Sequence, residues 1–460
     1  MSTPVTSAHV SCGEVRVVTD ELSDAVLAGA SGSVLEQHPI PDEYVAAHLR
    51  REDVDMFADT ADKDVRRSLH VGPVPMPELA PDEILVAVMA SSINYNTLWS
   101  AMFEPIPTFQ FLAKFGKQGA WEARHDQPNH VVGSDAAGVI VRLGSGVRHW
   151  HAGDHVVASP AYVDDQEPGT HADGMMGSRQ LAWGFETNFG ALAHYTIVRA
   201  SQLIPKPAHL TWEEAACNTL CAGTAYRMLV GEHAARIKQG DVVLIWGATG
   251  GLGGYAVQYV RNGGGIAVGV VSSERKARVL RALGCDLIIN RDELGFANYN
   301  GDDPSQTVEI GKRLGAIIRR ETGTEPHVVF DYVGKATFGI SVFVVRRGGV
   351  VVTCGSSTGY AHQYDNRYLW MKLKRIIGSH VANLQEQWET NRLIGLGRVV
   401  PMLSTVYPLD HVGEAARLVQ LNQHIGKVGV LCLAPEEGLG VTNPELRDEV
   451  GERLQLVRSA

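Results

Sequence analysis

Gly247, Gly250, Gly251 and Gly253 fall directly behind the apolar run DVVLIW and open the helically spaced stretch GLGGYAVQYV. A strand, a glycine turn and a helix start suit a dinucleotide: glycine permits the tight turn and close approach to the pyrophosphate, and the first helical amides hold the anion. Thr249 and Leu252 lie in the same loop and join the expected contacts. The next apolar run closes on Ser272-Ser273-Glu274-Arg275-Lys276. NAD enzymes usually end this strand with a carboxylate for the ribose 2′-hydroxyl, whereas NADP enzymes offer hydroxyls and cations to a 2′-phosphate. Here the strand-end carboxylate is missing. Ser272, Ser273, Lys276 and, after the run CDLIIN, Arg291 suit a phosphate, and NADPH is expected.

Other chemistries find less support. His149, His151 and His155 in RHWHAGDH have ligand-like spacing, but no cysteine or carboxylate completes a tetrahedral set, and GDHVV reads as a turn entering a strand. No metal is expected. The chain lacks a G-x-S-x-G elbow, a P-loop and an H-E-x-x-H helix, so acyl hydrolysis, NTP chemistry and zinc proteolysis have no anchor.

The elements that must position these residues follow from pattern. The 460 residues carry 41 Lys+Arg against 51 Asp+Glu, a net charge of −10, which argues against nucleic acid as a partner. The six cysteines are scattered with no C-x-x-C pair, as in a reducing cytoplasm. The N-terminus does not read as a signal peptide, and no run approaches the ~20 apolar residues of a membrane span, so a soluble chain without membrane contact is expected. Asp42–Arg51 reads as helix-like. DEILVAVMASSINYN reads as a strand delivering Asn94, Tyr95 and Asn96 to a cleft, and GSDAAGVIVRLGSG and GDHVVASP as further short strands of a mostly antiparallel barrel-like domain. Glu213–Val230 has helical spacing. Beyond it, expected strands at Val242–Trp246, Ile266–Val271, His327–Tyr332 and Gly349–Cys354 alternate with helices such as Ser273–Leu283, which is the pattern of a parallel α/β unit. After about Ser379 short apolar runs return and are expected to rejoin the first domain. The expected division is residues 1–210, 211–385 and 386–460.

This arrangement resembles the medium-chain dehydrogenase/reductase superfamily, through GSDAAG (Gly133–Gly138), GDHVV (Gly153–Val157), GTAY (Gly223–Tyr226), the GATGGLG loop and GKVGV (Gly426–Val430). The zinc-dependent branch begins the first of these with G-H-E; here Ser134 and Asp135 stand there, which resembles the zinc-free side. The resemblance implies a GroES-like, mostly antiparallel β catalytic domain with an inserted doubly wound Rossmann domain. NYNTLW with FEP behind it, WGFETNFG (Trp183–Gly190), YDNRYLWMKLKRIIGSH (Tyr364–His380) and GKVGVLCLAPEEGLGV (Gly426–Val441) are similar to the crotonyl-CoA carboxylase/reductases.

That resemblance implies that NADPH delivers hydride to the β-carbon of a 2-enoyl-CoA and that the enolate takes up CO2 at the α-carbon, giving an alkylmalonyl-CoA of the kind used as a polyketide extender unit. CO2 carries no net charge, so a site must aim donors at oxygens that become anionic only as the bond forms. The resemblance gives this role to the Asn96 amide and the Phe185 N–H, and a positioned water to Glu186 and His380. It places Thr224 and Cys354 toward the nicotinamide half, and Arg367, Tyr368 and Lys372 toward the CoA. Crotonyl-specific members carry a branched residue before the Trp183 position and an aromatic after the His380 position; Ala182 and Val381 are smaller and should admit longer acyl chains. Asp331-Tyr332-Val333-Gly334 also departs from the family pattern. A homo-oligomer, dimer or tetramer, is expected. The alternatives are an NADPH-dependent enoyl-CoA or quinone reductase that fixes no carbon, and a non-catalytic NADPH-binding protein.

Overall fold

The computed structural model describes residues 20–296 and 299–459. Cys12 lies outside them.

From Val242 the chain alternates apolar strands with amphipathic helices. Six strands form one parallel sheet in the order Leu287–Asn290, Ile266–Val271, Val242–Ile245, Val328–Phe330, Val350–Thr353 and Arg375–Gly378. This is the doubly wound order, which reverses beside Val242–Ile245 and opens a crevice at the carboxyl ends of the strands. The last strand is not apparent from the sequence, because its text, KLKRIIGSH, is rich in cations and only its middle is apolar.

The second sheet runs Leu203–Pro205, His155–Ala158, Ala136–Leu143, Glu83–Ser92, Lys427–Leu431, Leu403–Pro408, with Tyr195–Arg199 also on Glu83–Ser92. It is antiparallel except where the last two strands pair. All ten positions of Glu83–Ser92 are buried, which explains its unbroken apolar text. Strands from both ends of the chain meet in this sheet, with the parallel unit between them in sequence.

Two expectations are corrected. Asp42–Arg51 holds a strand, Glu43–Arg50, not a helix: it pairs with His70–Pro75 on one edge and Asn129–Val131 on the other, and those ladders override a helical spacing. The stretch Glu213–Val230 is two helices, Trp212–Ala216 and Thr219–Val230. The break has a cause. Asn218 turns its amide onto the Glu214 and Ala215 carbonyls, and the new helix starts on Asp135, whose Oδ1 accepts from Thr219 Oγ1 at 2.7 Å and Leu220 N at 2.8 Å. One apolar cluster runs from Leu85 and Ala137 through Ala222 and Met228 to Ile245 and Phe330, so the two sheets and the helix between them share a core. Among the described residues no helix is long and apolar enough to cross a membrane.

Candidate active site

The glycine loop is built as a cradle. Gly247 has φ 59°, in the left-handed region, and a Cβ there would lie 2.7 Å from Tyr332 Oη. A Cβ at Gly250 would lie 2.4 Å from the same hydroxyl, and one at Gly253 2.3 Å from the Gly247 carbonyl oxygen. Gly250 caps the helix Gly251–Asn262 with no side chain over its first amides. The Tyr332 hydroxyl donates to the Gly247 carbonyl at 2.8 Å, which gives the divergent Asp331–Gly334 segment a function in bracing the loop. Asp331 beneath it is fully buried and accepts from Val333 N, Gly334 N, Thr337 Oγ1 and Ser341 Oγ. Thr249 is buried, and its carbonyl accepts from Gly426 N at 2.8 Å, which ties the GKVGV motif to the loop; Leu252 packs against the core.

The end of Ile266–Val271 is cationic. Ser272 follows the strand, and Ser273 caps Glu274–Ala282, its hydroxyl accepting from Lys276 N at 3.3 Å. The cap uses one lone pair of the Ser273 hydroxyl and leaves its proton to donate. Lys276 is half-buried, and burial first, then repulsion by Arg291, lowers its pKa, so two cations share this corner. His424, which sequence reasoning missed, lies beside them. Its Nδ1 is buried with no hydrogen-bond partner, and burial, then Lys276 and Lys427, depresses its pKa to about 4. A glycine cradle, two adjacent cations and an orphaned imidazole nitrogen fit a dinucleotide carrying an extra phosphate. Charge reversal in Lys276→Glu should raise the KM for NADPH roughly 10- to 100-fold, the value of a hydrogen bond to a charged group, and the KM for NADH far less. Equal changes for the two cofactors would remove Lys276 from the site.

Asp135 is a second residue whose place was not foreseen. It is fully buried, and its Oδ2 accepts from Ser92 Oγ at 2.7 Å, Asn94 Nδ2 at 2.7 Å and Lys427 Nζ at 3.1 Å. Lys427 Nζ also donates to the Ile93 carbonyl at 2.9 Å and to Asn94 Oδ1. This fixes Asn94, the residue before the helix Tyr95–Met102, and leaves Asn96 in that helix, not at a strand end as expected. Asn96 Nδ2 donates to Ser134 Oγ at 2.8 Å, and Ser134 donates to the Trp183 carbonyl at 2.6 Å. Asn96 Oδ1 is buried without a partner.

Trp183 begins a tight turn. Gly184 has φ 71°, and a Cβ there would meet the Gly133 carbonyl oxygen at 2.1 Å. The turn closes through Phe185 N to the Ala182 carbonyl at 3.2 Å and Glu186 N to the same oxygen at 2.8 Å. The Phe185 N–H expected to face CO2 is therefore engaged, because it closes this turn. Ala182 N donates to Glu186 Oε2 at 2.8 Å, which orients the carboxylate. His380 faces Glu186 and Arg227: burial lowers its pKa, Glu186 opposes this, and Arg227 adds to it. His380 itself is exposed, and the net effect of these groups is a pKa below the ordinary imidazole value, which favours the neutral ring. Among the described residues no direct hydrogen bond joins His380 to Glu186, although the two are close enough for the carboxylate to act on the imidazole.

Ala182 pairs with Ala161 across a two-stranded ribbon, and Ala161 packs with Val163, Val381 and Met175. The two small residues thus both adjoin Ala161. Val381 has φ 49°, rare for a β-branched residue. Thr224 is buried in Thr219–Val230, and Cys354 follows Val350–Thr353, its thiol pKa raised by burial and then by Cys221. Asn94 links this group to the loop: Cys221 Sγ donates to Asn94 Oδ1 at 3.6 Å, and a Cβ on Gly251 would lie 3.0 Å from Cys221 Sγ. The remaining pair departs from expectation. Arg367 is exposed and bound to Asp365 at 2.6 Å within its own turn, and Tyr368 packs edge-on against Phe343 at 4.7 Å. Arg367 thus spends its fork on Asp365, and Tyr368 its ring on Phe343. His151 pairs with Asp154 and His155 stacks on Trp212; among the described residues no group of three His, Cys, Asp or Glu is placed to hold a metal.

Residues 80–208 match the alcohol dehydrogenase GroES-like domain family, and residues 251–394 the zinc-binding dehydrogenase family. With the doubly wound sheet set between parts of the antiparallel one, they define a medium-chain dehydrogenase/reductase. The crotonyl-CoA reductase of Streptomyces collinus is 50% identical over 436 residues, covering 94% of this chain and 97% of that protein. The crotonyl-CoA carboxylase/reductase of Cereibacter sphaeroides is 37% identical over 408 residues, 87% of this chain and 90% of that one. The solved 2-octenoyl-CoA carboxylase reductase CinF, in complex with NADP and 2-octenoyl-CoA, is 64% identical with a TM-score of 0.94, covering 95% of this chain and 99% of its own. The chain belongs to the crotonyl-CoA carboxylase/reductase family.

Proposed function

We propose that this protein is an NADPH-dependent carboxylase/reductase of 2-enoyl-CoAs longer than crotonyl-CoA, making alkylmalonyl-CoA suited to polyketide extension. The observation that carries this reading is the convergence of Asn96, Glu186 and His380, from three separate parts of the chain, beside the small Ala182 and Val381 wall. The NADP and 2-octenoyl-CoA bound by CinF, at 64% identity, support it.

When bound, NADPH supplies the hydride that reduces the enoyl double bond. Asn96 commits one amide proton to Ser134 and offers the other to an oxygen of CO2. The Phe185 N–H, held to Ala182 at a long 3.2 Å, can share itself with an incoming oxygen. Glu186 and neutral His380 hold the water beside it. Lys276, Arg291 and His424 recognise the 2′-phosphate end. The deciding experiment follows NADPH consumption on 2-octenoyl-CoA and crotonyl-CoA with and without bicarbonate, with product masses. A product heavier by one carboxyl group only with bicarbonate is expected; saturated acyl-CoA alone under both conditions identifies a plain reductase and overturns the reading.

We also propose a homo-oligomer in the cytoplasm. Arg375–Gly378 leaves one edge of the parallel sheet unpaired, and Trp370, Met371 and Leu373 before it are 59%, 56% and 69% exposed, a combination that suits burial against a second copy. Sedimentation should give a multiple of 49.8 kDa; the single-chain mass would overturn this. The five cysteines of the described residues are free, as a reducing compartment keeps them.

A further inference from the structure

Asp173 joins three distant parts of the chain. Its carboxylate accepts from Arg227 Nη2 at 2.7 Å and Nη1 at 3.2 Å, from Asn383 Nδ2 at 3.1 Å and from Met175 N at 3.1 Å. Arg227 Nη1 donates in addition to Glu386 Oε2 at 2.8 Å. Asn383 and Glu386 are the cap and third residue of the helix Leu384–Gly395, and they bind each other reciprocally: Asn383 N donates to Glu386 Oε2 at 2.9 Å and Glu386 N to Asn383 Oδ1 at 2.8 Å. The start of that helix is thereby clasped to the loop around Asp173 and to the helix Thr219–Val230. All four side chains are buried or nearly so, and a buried ion set is costly in desolvation, so its use here is geometric and not a gain in stability.

What the clasp holds is the short link Ser379–Ala382 between the edge strand and the cap, and this link carries His380 and Val381. Val381 sits in the left-handed region, a conformation that persists only where its surroundings over-determine it. Its neighbour Met175 is itself hydrogen-bonded to Asp173. One carboxylate therefore anchors both sides of the wall. The charged groups facing His380 are Glu186 and Arg227, so the clasp also supplies a charge beside the imidazole.

We propose that the Asp173, Arg227, Asn383 and Glu386 clasp positions His380 and Val381 against Glu186 and the acyl wall, and thereby sets the ratio of carboxylated to simply reduced product. This rests on the roles given above to His380 and Glu186. The four residues are positioning residues and touch neither substrate nor cofactor in this assignment.

Two mild variants test it. Asn383→Ser keeps a capping hydroxyl for the Glu386 N–H but has no amide to reach Asp173. Arg227→Lys keeps the charge and loses the fork that spans Asp173 and Glu386. Each is assayed with NADPH, bicarbonate and 2-octenoyl-CoA beside His380→Asn, with melting temperatures recorded. NADPH consumption within about threefold of the parent, with the carboxylated fraction lowered about tenfold, is the expected result, since small misplacements of a positioned group cost rates of that order or more. Should Arg227→Lys fail to fold, Asn383→Ser decides alone. A fraction lowered by His380→Asn but unchanged in the clasp variants overturns the clasp and leaves the site reading standing. An unchanged fraction in His380→Asn overturns both. Equal loss of both products in the clasp variants reduces the clasp to general support and overturns the proposal.

Discussion

Asn96→Leu is expected to lower the carboxylated fraction of product roughly a hundredfold while hydride transfer to the enoyl-CoA continues, because removal of one donor from a developing oxyanion costs about 10²–10³ in rate. Asn96 is the most sensitive position because Ser134 takes one proton of its Nδ2 at 2.8 Å and leaves the second for an acceptor such as an oxygen of CO2. Its buried Oδ1 is itself an acceptor and is open to a donor, not to CO2. The loss of the Ser134 contact alone is separable, since Ser134→Ala removes it and keeps the amide. Glu186→Leu should act in the same direction by releasing the bridging water, and His380→Asn less strongly, because Asn retains a polar atom near the same place. Both products are quantified by mass at saturating bicarbonate. If reduction and carboxylation fall in equal proportion, these side chains serve folding or enoyl binding, and the assignment to CO2 must be withdrawn.

The cofactor half of this site is local in sequence and was therefore legible. Strand, glycine turn, helix and the Ser273 to Lys276 corner lie within about one βαβ unit, where spacing along the chain is spacing in space. The residues that fasten the catalytic half are not local. Asp135 takes its partners from Ser92, Asn94, Thr219, Leu220 and Lys427, and nothing in a string of residues relates those positions. Arg227 and Asp173 are no more visible, since a buried arginine in helical text looks like any solvated one. Local pattern failed for the same reason at Glu43–Arg50, where two flanking strands decide the conformation, and at Asn218, where a buried carboxylate starts a helix anew. His424 carried a faint signal, since it stands two residues before the GKVGV motif. The resemblance supplied Asn96, Glu186 and His380 as a set, and the folded chain supplies the contacts that orient Asn96 and Glu186.

Ala182→Leu and Val381→Phe are expected to cut kcat/KM for a six- or eight-carbon enoyl-CoA by roughly ten- to two-hundredfold and to leave crotonyl-CoA nearly untouched. The magnitude follows from one methylene in an apolar pocket, worth about 1–3 kcal/mol. The location follows from the packing: Ala182 lies opposite Ala161, and Val381 packs with Ala161 and Val163, so bulk added at either position presses on the surroundings of Ala161. The two variants differ in what else they disturb. Ala182 lies in a short strand whose N–H orients Glu186, and a larger side chain there leaves that backbone bond in place. Val381 is already held at a positive φ, where Phe is no more strained than a β-branched residue, so the change in volume dominates. The ratio of the two kcat/KM values is the measurement, since misfolding lowers both substrates alike. Retained preference for the eight-carbon chain in both variants would mean that the acyl group leaves by another face, and the wall formed by Ala161, Val163 and Met175 would then be plain core.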